Sequence, residues 1–122
     1  QDAIIGNPLY DVVSLIDDVR IKLPNNLQNQ LLKYYYSKSK LKKENYQNLK
    51  NDYDILSIQR NLKILGIFVR LSKRDNKSTY LKYLPHTWSL INKRLKNPSF
   101  KNFKLLLNKQ IKIKKLKKLI IL

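Results

Sequence analysis

Gln59-Arg60-Asn61-Leu62-Lys63-Ile64-Leu65-Gly66-Ile67-Phe68-Val69-Arg70-Leu71 is the second half of the longest patterned stretch in this chain, residues 44–72. Leu49, Tyr53, Leu56, Ile64, Ile67 and Leu71 recur at helical spacing. Ile55, Ile58, Leu62, Leu65 and Phe68 widen that stripe to most of the circumference. A helix apolar nearly all round is buried in a larger body, so this segment is expected to be the central, most buried element. Gly66 in its middle costs about 1 kcal/mol against Ala and points to a close approach by another backbone. Arg60 and Asn61 are polar groups inside this apolar helix, which is expensive unless they find partners.

Working outward, the flanking segments keep the 3.6-residue period, and two glycines and four prolines leave few interruptions. Asn7 suits an N-cap and Pro8 a first helical residue, because first-turn N–H groups have no intrahelical partner. The helix they open carries Leu9, Val12, Val13, Leu15, Ile16 and Val19. Pro24 opens a second helix with Leu27, Leu31, Leu32 and Tyr35 on one face, and the polar, basic residues 37–43 read as a linker or frayed end. Residues 74–78 form a turn, 79–84 and 85–95 two short helices, and Asn97-Pro98 restarts the chain towards Phe103 and Leu107. The tail, residues 111–122, alternates Lys with Ile and Leu. It reads either as a terminal helix docked on the body or as a basic amphipathic helix on an anionic membrane. No internal repeat or strand-pairing pattern occurs. The expected fold class is all-α.

The chain carries 26 Lys and Arg against 8 Asp and Glu, a net charge of +18. Taken alone, that charge suggests nucleic acid or phospholipid as a partner. Lys, however, outnumbers Arg 21 to 5, and Asn and Ile occur 13 times each, a composition that follows from AT-rich codons. Nucleic-acid readers rely on arginine forks, which are few here. A free-standing basic helical module for nucleic acid or anionic membrane therefore stands as the rival reading, against the weight of composition. No apolar run reaches the length of about 18 residues that a membrane span needs. The absence of cysteine excludes disulfides and cysteine-ligated zinc, and fits a reducing compartment. The chain opens on Gln1 and contains no methionine, so it is expected to be a piece of something longer.

Phosphoryl transfer of the kinase type needs a Gly-rich phosphate cover, a strand lysine, a catalytic Asp with a downstream Asn, and a metal-binding Asp. None is complete here. His86 is followed by Thr87 and Trp88, so it heads no His-x-Asp loop, and a lone histidine builds no zinc site. Asp17-Asp18 is an adjacent acidic pair whose side chains point about 100° apart on a helix, and it reads as a solvated face.

Two motifs carry a family resemblance. Gln1-Asp2-Ala3, a short loop to Gly6, and Asn7-Pro8-Leu9-Tyr10-Asp11 before an apolar run resemble the aminoglycoside phosphotransferase-like kinases. In that family Asp-Phe-Gln-Asp-Ala leads into Gly-x-Pro-x-Tyr-Asp-Leu, and the leading Asp holds magnesium. The run of residues 59–71, with Arg74-Asp75, Tyr80-Leu81 and Leu84-Pro85-x-x-Trp88, is similar to the C-terminal helical region of one bacterial branch. That branch phosphorylates N-acetylmuramate and N-acetylglucosamine at the anomeric hydroxyl. The similarity covers about residues 1–100.

The resemblance implies that residues 1–122 are a helical C-terminal subdomain from the large lobe of a protein-kinase-like fold. The nucleotide lobe, the catalytic loop and every catalytic or metal-binding residue would then lie upstream of Gln1. It implies a full-length cytoplasmic enzyme that uses ATP and magnesium to phosphorylate a sugar. The partner of this piece would be the missing N-terminal part of the same kinase, and the 122-residue chain would be inactive alone. Asp2 matches the acidic residue one turn beyond the metal ligand. Asp11 matches the Tyr-Asp carboxylate that supports the catalytic-loop backbone; its simpler reading is a first-turn carboxylate facing the helix dipole. Arg60 and Asn61 read either as a wall of the sugar-acceptor pocket or as an internal pair bracing the helices. Trp88 either stacks on the sugar or belongs to the core.

Overall fold

The computed structural model describes residues 8–39, 45–74 and 78–110. Five α-helices follow in order: α1 Leu9–Ile16, α2 Asn25–Lys38, α3 Tyr46–Arg74, α4 Leu84–Arg94 and α5 Lys101–Gln110. Turns of 3₁₀ helix, Ser78–Tyr83 and Pro98–Phe100, precede α4 and α5. No strand occurs among the described residues, so the all-α expectation is met. Asn7, Asp2, most of the expected linker and the tail 111–122 lie outside the described residues.

The 29-residue α3 is the central spine, shifted two residues from the expected bounds, but it is not the most buried element: seven of its 29 residues are buried against five of 11 in α4, and Ile55 of its apolar pattern is exposed. Its N-terminal half packs with α1 and α2 around Leu9, Val13, Leu32, Leu49 and Tyr53. Its C-terminal half packs with α4 and α5 around Ile58, Leu65, Leu84, Ile91 and Leu107. The two clusters share one helix, so α3 couples whatever happens at α1 to whatever happens at α4. The contact of α3 with α4 is the most extensive in the chain.

Three local expectations change. First, α1 stops at Ile16 instead of running through Val19. Asp17 closes it with an N–H bond to the Val13 carbonyl at 2.8 Å, and the Asp18 carboxylate accepts the Arg20 N–H at 2.9 Å. That side-chain turn competes with helix and wins at this position. Second, residues 78–83 are 3₁₀ rather than α; Pro85 carries no N–H to bond back across the junction, so the two segments do not merge into one helix. Third, Gly66 is exposed and a Cβ there would meet nothing within 4 Å. Among the described residues no backbone approaches it closely, so the packing reason expected for this glycine is not found there.

Pro24 and Pro85 start helices as read. Asn97 also restarts the chain as expected, its side chain accepting the Ser99 N–H at 3.0 Å ahead of Pro98.

Candidate functional site

The buried face of α3 follows an i, i+4 ridge of Leu49, Tyr53, Ser57, Asn61 and Leu65, so two of its five positions are polar. Those polar positions meet a charged pair. Arg94, at the end of α4 and only 4% exposed, donates from Nε to Asp17 Oδ2 at 2.9 Å and from Nη2 to Oδ1 at 2.6 Å. Asp17 is fully buried. The Ser57 hydroxyl donates to the same carboxylate, and Asn61 Nδ2 donates to Ser57 Oγ at 3.2 Å. Arg94 also lies over the Tyr53 ring, 4.8 Å from its centroid, and reaches Gln28 Oε1 at 3.3 Å. Lys93 adds bonds to Gln28 and, at 2.5 Å, to Asn25. Elements α1, α2, α3 and α4 are thereby tied at one node.

Burial, the largest single influence on Asp17, opposes its ionisation, but the bidentate bonds and charge of Arg94, with Ser57 and Tyr53, hold its carboxyl below the usual range. Burial likewise works against the Arg94 charge, and Asp17 more than offsets it, leaving the guanidinium raised. Burial, then the neighbouring negative charge of Asp17, pushes the Tyr53 hydroxyl far up, so it stays a neutral donor. The sequence reading of Asp17-Asp18 as a solvated pair is corrected for Asp17. The helix ends between the two carboxylates, which sends one inward to Arg94 and leaves the other at the surface with Arg20.

A second buried carboxylate, Asp54, takes the Lys50 ammonium at 2.5 Å and Asn97 Nδ2 at 2.9 Å. This fixes the start of α5's connection onto α3. Neither network has a group of three or more His, Asp or Glu side chains, and no such group exists among the described residues. These residues do not fit a magnesium site of their own, and Gly66, the glycine among the described residues, lies inside α3 and not in a phosphate-cradling loop.

The other feature is an open cleft of about 290 Å³ between the α1–α2 connection, the C-terminal half of α3 and Tyr83. Its floor is Val19, Ile64, Ile67 and Phe68, and its polar edge is Asp18, Arg20 and Arg60. The Phe68 and Tyr83 rings lie 6.0 Å apart at 37°. Arg20 grips Asp18 in a fork at 3.1 and 3.2 Å. That hydrogen bond is the main reason the Asp18 carboxyl sits below its usual range, with a smaller contribution from the Arg60 charge. Arg60 Nη1 is covered and has no hydrogen-bond partner.

The sequence-read residues fall in different places. Asp11 is exposed on α1, and its carboxylate has no hydrogen bond or ion pair among the described residues. Asp2 lies outside them. Arg60 lines the cleft, whereas the adjacent Asn61 turns inward, fully buried against Ser57. Trp88 is half-buried against the lower core and does not border the cleft. His86 is half-buried with Nε2 unpartnered, away from both features. Sequence reasoning missed Asp17, Arg94, Gln28 and Ser57. Their only sequence signal was position: Ser57 falls on the apolar ridge of α3, where a polar residue requires a partner.

No family model matches the chain. Among curated proteins, an N-acetylmuramate/N-acetylglucosamine kinase of Neisseria meningitidis serogroup B is 33% identical over 89 residues, 70% of this chain and 27% of the relative. The kinase of the same name from Pseudomonas aeruginosa is 32% identical over 89 residues, 70% of this chain and 26% of its own. That of Pseudomonas putida is 29% identical over 96 residues, 75% and 28% respectively. The chain resembles these amino-sugar kinases. The resemblance read from the two motifs is thus borne out. The chain spans little more than a quarter of the length of these curated relatives. No described helix is long and apolar enough to cross a membrane.

Proposed function

We propose that this chain is the helical C-terminal part of an ATP-dependent amino-sugar phosphotransferase, and that it supports the catalytic loop and walls the acceptor side. The observation that carries this reading is that four curated relatives matching 70–85% of the chain all bear the name N-acetylmuramate/N-acetylglucosamine kinase. In such an enzyme ATP supplies the phosphoryl group, magnesium neutralises its charge, and protein catalysis consists of positioning and charge stabilisation.

In this reading the chain supplies the positioning half of that task, and the packing of α1 supports it. The Asp17–Arg94 node pins the C-terminal end of α1 against α3 and α4. The same short helix carries Asp11, whose carboxylate is unpaired among the described residues and could accept backbone N–H bonds from a loop packed beside it. Tyr10, Leu15 and Ile21 are 43%, 73% and 56% exposed. Exposed large apolar side chains on and just after α1 support a reading in which another part of the protein packs there. Arg60 and the Phe68–Tyr83 rings form the acceptor wall, while Asn61 and Trp88 serve the framework behind it.

The rival, a free-standing basic helical module for nucleic acid or anionic membrane, rests on net charge alone. The test is ADP release by the whole gene product on addition of N-acetylmuramate or N-acetylglucosamine with Mg-ATP. Sugar-dependent release supports the reading. Absence of release, together with duplex DNA binding that weakens steeply with salt, overturns it in favour of the rival.

A further inference from the structure

The cleft around Arg60 has a charge imbalance that a neutral sugar would leave uncorrected. It holds two guanidinium groups and one carboxylate. Arg20 is bound in a fork to Asp18, and its side chain is 71% exposed. Arg60 lies deeper, and its Nη1 lacks any partner. A covered N–H without an acceptor costs the free energy of its lost hydration, and the cost is larger for a charged group. An anion in the cleft offers this guanidinium a charge-assisted partner, in the planar geometry that its fork presents to carboxylate. Beside it, Ile64, Ile67, Phe68 and Tyr83 give an apolar and aromatic bed suited to the face of a pyranose ring. At about 290 Å³ the open cleft holds one small molecule rather than a chain of them.

Resting on the proposed acceptor wall, we propose that Arg60 is the specificity-determining residue of this cleft and that it recognises a carboxylate carried on the amino sugar. The two sugars in the relatives' name differ in this respect: N-acetylmuramate bears a lactyl ether carboxylate, and N-acetylglucosamine bears a hydroxyl at that position. The cleft therefore favours the acidic sugar. Arg20 stays on Asp18, so one carboxylate is shared between two guanidinium groups and the ligand meets net positive charge. Arg60 touches the substrate away from the reacting hydroxyl, so its contribution is to binding and selectivity and not to the chemical step.

The experiment uses the whole gene product and two variants, Arg60→Met, which keeps an apolar stem, and Arg60→Lys, which keeps the charge but loses the fork. kcat/KM is measured for both sugars, with far-UV circular dichroism as the folding control. The expected result is a fall of about 10–100-fold for N-acetylmuramate in Arg60→Met, mostly in KM, as for removal of one charge-assisted contact. The fall with N-acetylglucosamine should be smaller, so that the ratio of the two kcat/KM values shifts towards the neutral sugar, and Arg60→Lys should recover part of the loss. An equal fall with both sugars, or none with either, overturns the assignment while leaving the kinase reading intact. A wild-type protein that prefers N-acetylglucosamine overturns it as well. A wild-type protein that phosphorylates neither sugar removes the kinase reading and this inference together.

Discussion

Replacing Asp17 by Asn tests the node on which the architecture depends. The substitution keeps the shape of the side chain and leaves Arg94 charged, 4% exposed, and without a carboxylate bonded to it, only the charge of Asp54 remaining in the neighbourhood. Removing one partner of a buried ion pair costs about 3–5 kcal/mol, because the remaining charge is stranded in a medium that solvates it poorly. Ser57 loses a charged acceptor in the same step. A domain of this class has a total stability of about 5–15 kcal/mol, so the loss is a large fraction of the whole. At about 3–5 °C per kcal/mol for a chain of this size, Tm should fall by about 10–20 °C. Urea unfolding followed at 222 nm gives the free energy directly. The companion variant Asp17→Leu with Arg94→Met removes both charges, and should recover at least about 2 kcal/mol relative to Asp17→Asn, since apolar replacement of a buried pair is often neutral. Loss of less than about 1 kcal/mol in Asp17→Asn, or strict additivity of the two single changes, would refute the reasoning.

Other outcomes follow from the same structure. Asp11→Asn touches an exposed carboxylate that is unpaired among the described residues, so stability should change by less than about 1 kcal/mol while kcat of the proposed whole kinase falls by about 10–100-fold; a large loss of fold with normal turnover per folded molecule would assign Asp11 to structure alone. Gly66→Ala meets no atom and sits on an exposed helix position, so it should stabilise by about 1 kcal/mol in urea unfolding. Acid titration should show the Asp17 contribution, whose folded pKa lies below the ordinary 3.8. That contribution is complete above about pH 5 and disappears as pH falls through the lowered value, so Asp17→Asn should have a flatter stability profile between about pH 5 and 2 than the wild type.

Much of this fold was legible because helix period is a local property. The apolar stripe of α3 set both its length and its central place, and Pro24, Pro85 and Asn97-Pro98 marked starts that depend only on missing or capped N–H groups. The polar node was not legible in the same way. Asp17 lies 77 positions from Arg94, and nothing in the residues around either one names the other. The pair Asp17-Asp18 looked like one feature, yet a helix end falls between them and sends the side chains to opposite environments. Arg60-Asn61 repeats that pattern: successive residues on α3 point about 100° apart, so one reaches the cleft and the other the core. Gly66 was misjudged for the converse reason, since a glycine suited to close packing and one merely tolerated on a surface look alike in sequence. Asp11 and Arg60 drew notice through motif and through polarity in an apolar run, while Trp88 drew it through residue type, the weakest of these signals.

The central claim is that these helices belong to a kinase acting on amino sugars. It is tested most directly by ³¹P NMR of the whole gene product incubated with ATP, magnesium and N-acetylmuramate or N-acetylglucosamine. The account predicts conversion of the ATP γ-phosphate resonance into that of a sugar phosphate ester, formed in proportion to ADP. ATP that remains intact with both sugars, in a protein whose circular dichroism shows it helical and folded, would contradict it.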